Sequence, residues 1–259
     1  MAVIFIPLLF IPSTFFAGVV SVFVLLASLE FYKMIEKSTD NVLAYFVFFL
    51  ATLSMYLSGI LYIFGSLDIE LLLAVLMGHM IIFLALRVFY ASVQWTALFQ
   101  GGIYLGFSFF ALVYIHDAGL MMLLYLLLIA MLSDIFAYFS GMVFGKHKLA
   151  PSISPKKTIE GMIGGTFMAV LIASPLAIMQ TLFFENHTVF QGLLVVLFGL
   201  LVSLLAQLGD LVASSLKRQY DIKDFSNLFP GHGGILDRFD STLFAASILT
   251  IVLMVIAVM

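Results

Sequence analysis

Residues 119–143 read GLMMLLYLLLIAMLSDIFAYFSGMV, an apolar run whose only charged residue is Asp134. About 20 residues of this kind, rising about 1.5 Å each, cross the hydrocarbon core of a bilayer as a helix. Backbone N–H and C=O groups cannot be left unpaired in hydrocarbon, so such a run must be helical or belong to a closed barrel. It lacks the period-2 alternation of a barrel strand, which leaves the helix.

Similar windows recur at 42–65, 68–87, 95–114, 161–183, 188–209 and 239–259. Residues 2–28 add another apolar stretch, too long for one comfortable span and interrupted by Pro7 and Pro12, so it is two short helices or one kinked one. The opening MAVIFIPLLF has no basic n-region or small-residue cleavage signal and reads as membrane helix rather than removable leader. The expectation is an all-α, polytopic membrane bundle of eight or nine transmembrane helices. It forms one continuous membrane domain, with N-terminal transmembrane helices in 1–130 and a catalytic transmembrane region in 131–259. Composition agrees: 64% of residues are hydrophobic and 10% charged, far from the roughly 25% charged usage of soluble domains. The absence of cysteine excludes disulfides, Fe–S clusters and thiolate metal sites.

The loops between these windows sort by side. All 11 Lys and Arg residues fall on one side, whereas the opposite turns carry Asp68, Glu70, Asp117 and Glu185 without a cation. Basic loops mark the cytoplasmic face, so the polar segments 146–160 and 214–238 are both expected in the cytoplasm.

Those segments hold the chemistry. Asp134 lies inside one run, and Asp210 ends another, LFGLLVSLLAQLGD (197–210). Ionisable residues there are costly and are usually functional or paired. Asp210, Ser214 and Lys217 are spaced i, i+4, i+7, so a helix leaving the membrane presents all three on one face. Asp237 and Asp240 are spaced i, i+3 at the start of the last span. Carboxylates without thiolates, and with little imidazole, suit Mg²⁺, which takes one or two of them plus substrate phosphates. Between these helices runs Pro230-Gly231-His232-Gly233-Gly234, whose glycines permit φ > 0 and close approach to a ligand, as in phosphate-cradling loops. Lys217, Arg218, Lys223 and Arg238 flank it, giving the mixture of cations, backbone donors and carboxylates that phosphoryl and nucleotidyl transfer require. His232 is open to three roles: acid–base group, metal ligand or structural hydrogen-bonding residue. The other histidines read as scaffold or loop residues.

The second polar segment contains Ser154-Pro155-Lys156-Lys157-Thr158-Ile159-Glu160-Gly161. Ser-Pro is able to open a helix, which would set Lys156 and Lys157 near its start, suited to a phosphate or an anionic headgroup. A Walker A reading of Gly141–Lys146 fails on spacing and on the residue after the lysine.

Ser214, Leu216, Lys217, Arg218, Lys223, Asp224, Ser226, Phe229, Pro230, His232, Gly233, Gly234, Asp237, Arg238 and Asp240 closely resemble, without a gap, the signature of the phosphatidate cytidylyltransferases, or CDP-diacylglycerol synthases. The likeness extends to Gly209-Asp210, to Asp134, Ala137, Tyr138 and Gly141, and to the Ser154–Gly161 segment. The resemblance implies a nucleotidyltransferase in which phosphatidic acid attacks the α-phosphorus of CTP, releasing pyrophosphate. It implies Mg²⁺ and a role for K⁺, membrane lipids and a homodimer as partners, no nucleic acid, and a place in the cell membrane facing the cytoplasm. Carried over by position, Asp210, Asp237 and Asp240 hold the metal with Ser214 close by, and Lys217 contacts phosphate. Ser154, Lys156, Lys157, Thr158, Arg218, Lys223, Asp224, His232, Gly233, Gly234, Arg238 and Asp134 line the substrates. Two other readings compete: a CTP-dependent polyprenol or phytol kinase releasing CDP, and an ion-coupled transporter using Asp134 and Asp210.

Overall fold

A computed structural model describes residues 9–36, 41–66, 68–90, 94–184, 189–229, 231 and 233–258. Eight helices and one hairpin are formed among them: α1 (Ser13–Glu36), α2 (Val42–Ile63), α3 (Ile69–Phe89), α4 (Trp95–Ala118), α5 (Leu120–Phe144), β1 (Lys148–Ala150), β2 (Ser154–Thr158), α6 (Ile159–Phe184), α7 (Val189–Gln219) and α8 (Leu236–Val258). Seven are long and apolar enough to cross a membrane, and α3 contributes a shorter apolar stretch, Leu73–Val88. The chain is thus an all-helical integral membrane protein, with helices close to the expected windows. Whether residues 2–28 form one span or two rests partly on residues 1–8, outside the described residues. From Ser13 onward the helix is continuous, beginning just after Pro12, as proline at a helix start allows.

The chain divides into two compact units, Met1–Ala118 with Tyr220–Phe239, and Gly119–Gln219 with Asp240–Met259. In the first, α4 is the most enclosed helix, burying Trp95, Leu98, Leu105, Phe109 and Phe110. It packs on α1 and α2, because small residues let neighbouring side chains come close: a Cβ on Gly106 would lie 2.7 Å from the Thr52 carbonyl.

In the second unit α5 lies along α6, and both supply small residues to the seam. Gly161 and Gly165 of α6 face Ala137 and Ser133 of α5, and Cβ atoms there would lie 2.7 Å from the Ala137 carbonyl and 2.6 Å from the Ser133 carbonyl. In lipid there is little hydrophobic gain in bringing two helices together, so backbone proximity of this kind drives association. Polar side chains add cross-helix bonds. Tyr125 Oη meets Ser174 Oγ at 2.8 Å and donates to the Val195 carbonyl at 3.0 Å, while Gln207 donates to Thr166 Oγ1 at 2.8 Å.

One local expectation changes. Ser154-Pro155 does not open a helix: residues 154–158 form β2, paired antiparallel with β1 through Lys148–Thr158 and Ala150–Ser154. The helix starts at Ile159 because the Thr158 hydroxyl accepts the Gly161 N–H at 3.1 Å, the bond of an N-cap. Glu160 then locks the hairpin, accepting the Lys146 N–H at 3.1 Å and meeting His147 Nδ1 at 2.6 Å. The expected continuation of a helix past the apolar window is present, since α7 runs on to Gln219 and carries Asp210, Ser214 and Lys217 on one continuous helix.

Candidate active site

The second unit gathers ionisable groups from four elements. Asp134 comes from α5, Lys157 from β2, Asp210 and Lys217 from α7, and Asp240 from α8. Lys157 Nζ lies 2.5 Å from Asp210 Oδ2, and Lys217 Nζ lies 3.9 Å from Asp240 Oδ2. Ser241 follows Asp240 and joins it to Asp134: its N–H donates to Asp240 Oδ1 at 2.8 Å and its hydroxyl to Asp134 Oδ2 at 3.4 Å. Ser214 Oγ donates to Asp210 Oδ1 at 3.3 Å. Asp210 lies within electrostatic range of both Asp134 and Asp240.

The local sequence explains the gathering. Gly209 lets α7 and α8 touch, since a Cβ there would lie 2.6 Å from Phe244 Cβ and 2.9 Å from the Asp240 carbonyl. The neighbouring Asp210 is thereby held close to the start of α8. Alternation along β2 does the rest, turning Lys156 to solvent and Lys157 inward. The Lys157 ammonium nitrogen is sealed from solvent and has no hydrogen bond of good geometry, so its contact with Asp210 is held by charge. Among the described residues three carboxylates face two lysines here, an arrangement rich in acid and costly to maintain at a membrane margin.

Gly209→Val is expected to force α7 and α8 apart, costing about 1–3 kcal/mol of stability by overpacking and at least tenfold in turnover. Thermal denaturation in detergent alongside an activity assay tests this. Wild-type values in both would show that the helix spacing is irrelevant.

The glycine segment belongs to the first unit and is organised by acids. Gly231 and Gly233 have φ of 75° and 77°, the left-handed region that favours glycine. The Phe229 N–H donates to the Gly233 carbonyl at 3.0 Å. Asp237 Oδ2 accepts the Phe225 N–H at 2.8 Å and the Gly234 N–H at 2.9 Å, so this carboxylate clasps the loop. The Gly234 donor expected for a phosphate therefore meets one of the protein's own acids. Arg218, Lys223, Asp224 and Arg238 are exposed; Ser154 opens β2, and Thr158 is buried as the cap of α6. His232 lies outside the described residues.

Two participants were not singled out from the sequence. Ser241 had an available signal, a hydroxyl beside Asp240. Glu30 of α1 had only its isolation within an apolar run. It is 5% exposed, and its carboxylate accepts the Ser226 hydroxyl at 2.7 Å and the Ile235 and Leu236 N–H groups at 2.9 Å each.

Among the described residues no three Asp, Glu or His side chains converge as a closed metal cage. The donors present suit a hard divalent ion that takes one or two carboxylates and completes its shell with water and substrate phosphate, as Mg²⁺ does.

Fold and site together define a helical membrane protein that clusters lysines and carboxylates from four of its elements. The chain matches the Cytidylyltransferase family over residues 1–256 and belongs to that family. It is 45% identical over 151 residues to a phosphatidate cytidylyltransferase of Staphylococcus aureus (strain COL), covering 58% of this chain and 55% of that protein. Identity to the phosphatidate cytidylyltransferase of Staphylococcus haemolyticus (strain JCSC1435) is 45% over 150 residues, with the same coverage. For that of Staphylococcus saprophyticus subsp. saprophyticus it is 41% over 150 residues, again covering 58% and 55%. The chain thus matches these curated relatives over just over half their length.

Proposed function

We propose that this protein transfers the cytidylyl group of CTP to phosphatidic acid, giving CDP-diacylglycerol and pyrophosphate for phospholipid synthesis. The observation that carries the proposal is the cluster in which Lys157 and Lys217 are paired with Asp210 and Asp240 beside Asp134. Membership of the cytidylyltransferase family and the names of the staphylococcal relatives support the choice of nucleotide and lipid.

In this reading an oxygen of the phosphatidate phosphate forms a bond to the α-phosphorus, the bond from that phosphorus to the bridging oxygen breaks, and pyrophosphate leaves. Lys157 and Lys217 bind phosphate oxygens, replacing part of the charge contact they make with the two aspartates. Asp210 and Asp240, with Ser214 close by, would hold Mg²⁺, which supplies neutralisation of the triphosphate when bound. Asp237 is assigned to the same centre by the resemblance and fixes the loop 225–234 through Oδ2. Ser241 keeps Asp134 and Asp240 oriented. A role for K⁺, a homodimeric assembly, and a site facing the cytoplasm from the cell membrane are part of the proposal; the one-sided distribution of basic residues supports that orientation.

The test is purified protein with phosphatidic acid, Mg²⁺ and each nucleoside triphosphate in turn. CTP should yield equal amounts of CDP-lipid and pyrophosphate, and CTP with Mg²⁺ should raise the melting temperature of the protein. Release of CDP without pyrophosphate would instead indicate a lipid kinase, and neither product nor stabilisation would overturn the enzyme reading.

A further inference from the structure

We propose that Glu30, on the first described helix, is a positioning residue for the reaction: its carboxylate is the anchor that sets the loop 226–236 and the entrance of α8. The inference rests on the functional reading above. Three donors converge on this one side chain, with Ser226 Oγ and the Ile235 N–H on Oε1 and the Leu236 N–H on Oε2. Bonds to a carboxylate are roughly twice as strong as neutral ones, and two of these donors are backbone groups at the first turn of α8 that the helix itself cannot satisfy.

The fit is close. A Cβ at position 234 would lie 2.5 Å from Glu30 Oε1 and 2.6 Å from its carboxyl carbon, so any larger residue there displaces the carboxylate from its three donors. Together with Asp237, which takes the Phe225 and Gly234 N–H groups, Glu30 consumes four inward-facing backbone donors of the loop. Two of the protein's own acids therefore hold this segment, each bonding residues on both sides of Gly231 and Gly233. Both oxygens of Glu30 are required: an amide at this position turns an N–H toward either Leu236 or the Ser226–Ile235 pair, where only an acceptor fits. The helix that begins at this anchored turn carries Asp240 about one turn further on.

The experiment compares wild type with Glu30→Gln, Glu30→Asp and Ser226→Ala in one detergent. Amide hydrogen exchange of residues 225–236 and steady-state kinetics with CTP and phosphatidic acid are measured together. In Glu30→Gln, exchange across 225–236 should rise at least tenfold while α2 and α4 stay protected, and kcat should fall about tenfold with KM for CTP within about twofold. Glu30→Asp should recover part of kcat, and Ser226→Ala, which leaves both backbone bonds in place, should lose no more than about threefold. Unchanged loop exchange in Glu30→Gln would overturn the anchor. Raised exchange with wild-type kcat, or loss of kcat matched by loss of folded protein throughout, would overturn the positioning role. Wild-type protein that makes no CDP-lipid would overturn the functional reading, and the catalytic half of this inference with it, while the exchange result still decides the anchor.

Discussion

Asp240→Asn is expected to lower kcat about a thousandfold, equivalent to roughly 4 kcal/mol of transition-state stabilisation, without lowering the melting temperature. The two halves of this result have one cause. Asp240 is a carboxylate 15% exposed, paired at 3.9 Å with a lysine 11% exposed, and it stands within range of Asp210 and Asp134. Removing one partner of a buried ion pair usually costs several kcal/mol because the other charge is left alone. Here three acids share two lysines, so neutralising one acid balances the cluster at two against two and relieves repulsion with Asp210. What disappears is a negative oxygen for the divalent ion, at nearly constant side-chain volume. Initial rates of pyrophosphate release, measured beside thermal unfolding in the same detergent, test both halves. Turnover within tenfold of wild type would remove Asp240 from the reaction.

Lys157→Met should reduce kcat/KM for CTP about a hundredfold and also destabilise the protein, the reverse of the Asp240 result in its second half. Three carboxylates would then face Lys217 alone. Because Lys157 and Asp210 are each about a quarter exposed, the loss of stability should be only about 1–2 kcal/mol, less than for a fully buried pair. The neighbouring substitution Lys156→Met is the control. Lys156 points to solvent from the other face of β2, and its loss should alter kcat/KM by less than about threefold. Equal effects at the two positions would mean that a general basic patch, and not the inward lysine, binds the nucleotide.

The helices were legible in the sequence because the bilayer imposes a length and a composition that soluble folds do not. A run such as 119–143 admits few other structures. The i, i+4, i+7 spacing of Asp210, Ser214 and Lys217 was legible for the same reason, helical periodicity continuing past the apolar window. The segment 154–158 was harder. Ser-Pro is compatible with a helix start, and only pairing with Lys148–Ala150 together with the Thr158 cap selects a strand. That strand then separates two adjacent lysines that composition alone treats alike. The glycine segment was read as an anion cradle from its residue types, but its donors are directed by Asp237 and by Glu30, and Glu30 lies about 200 residues from its partners. Spacing rules reach along one helix, not across that distance.

The long reach of Glu30 also bears on how the chain is made. The first described helix carries an acid whose three donors lie 196 to 206 residues later, so about 200 further residues must be synthesised before those bonds form. Contacts of such sequence separation close slowly. A chain arrested before Ser226 keeps that carboxylate without any of those three donors. The start of α8 thereby completes the bonding of α1, and this polar knot closes only in a chain that extends past Leu236.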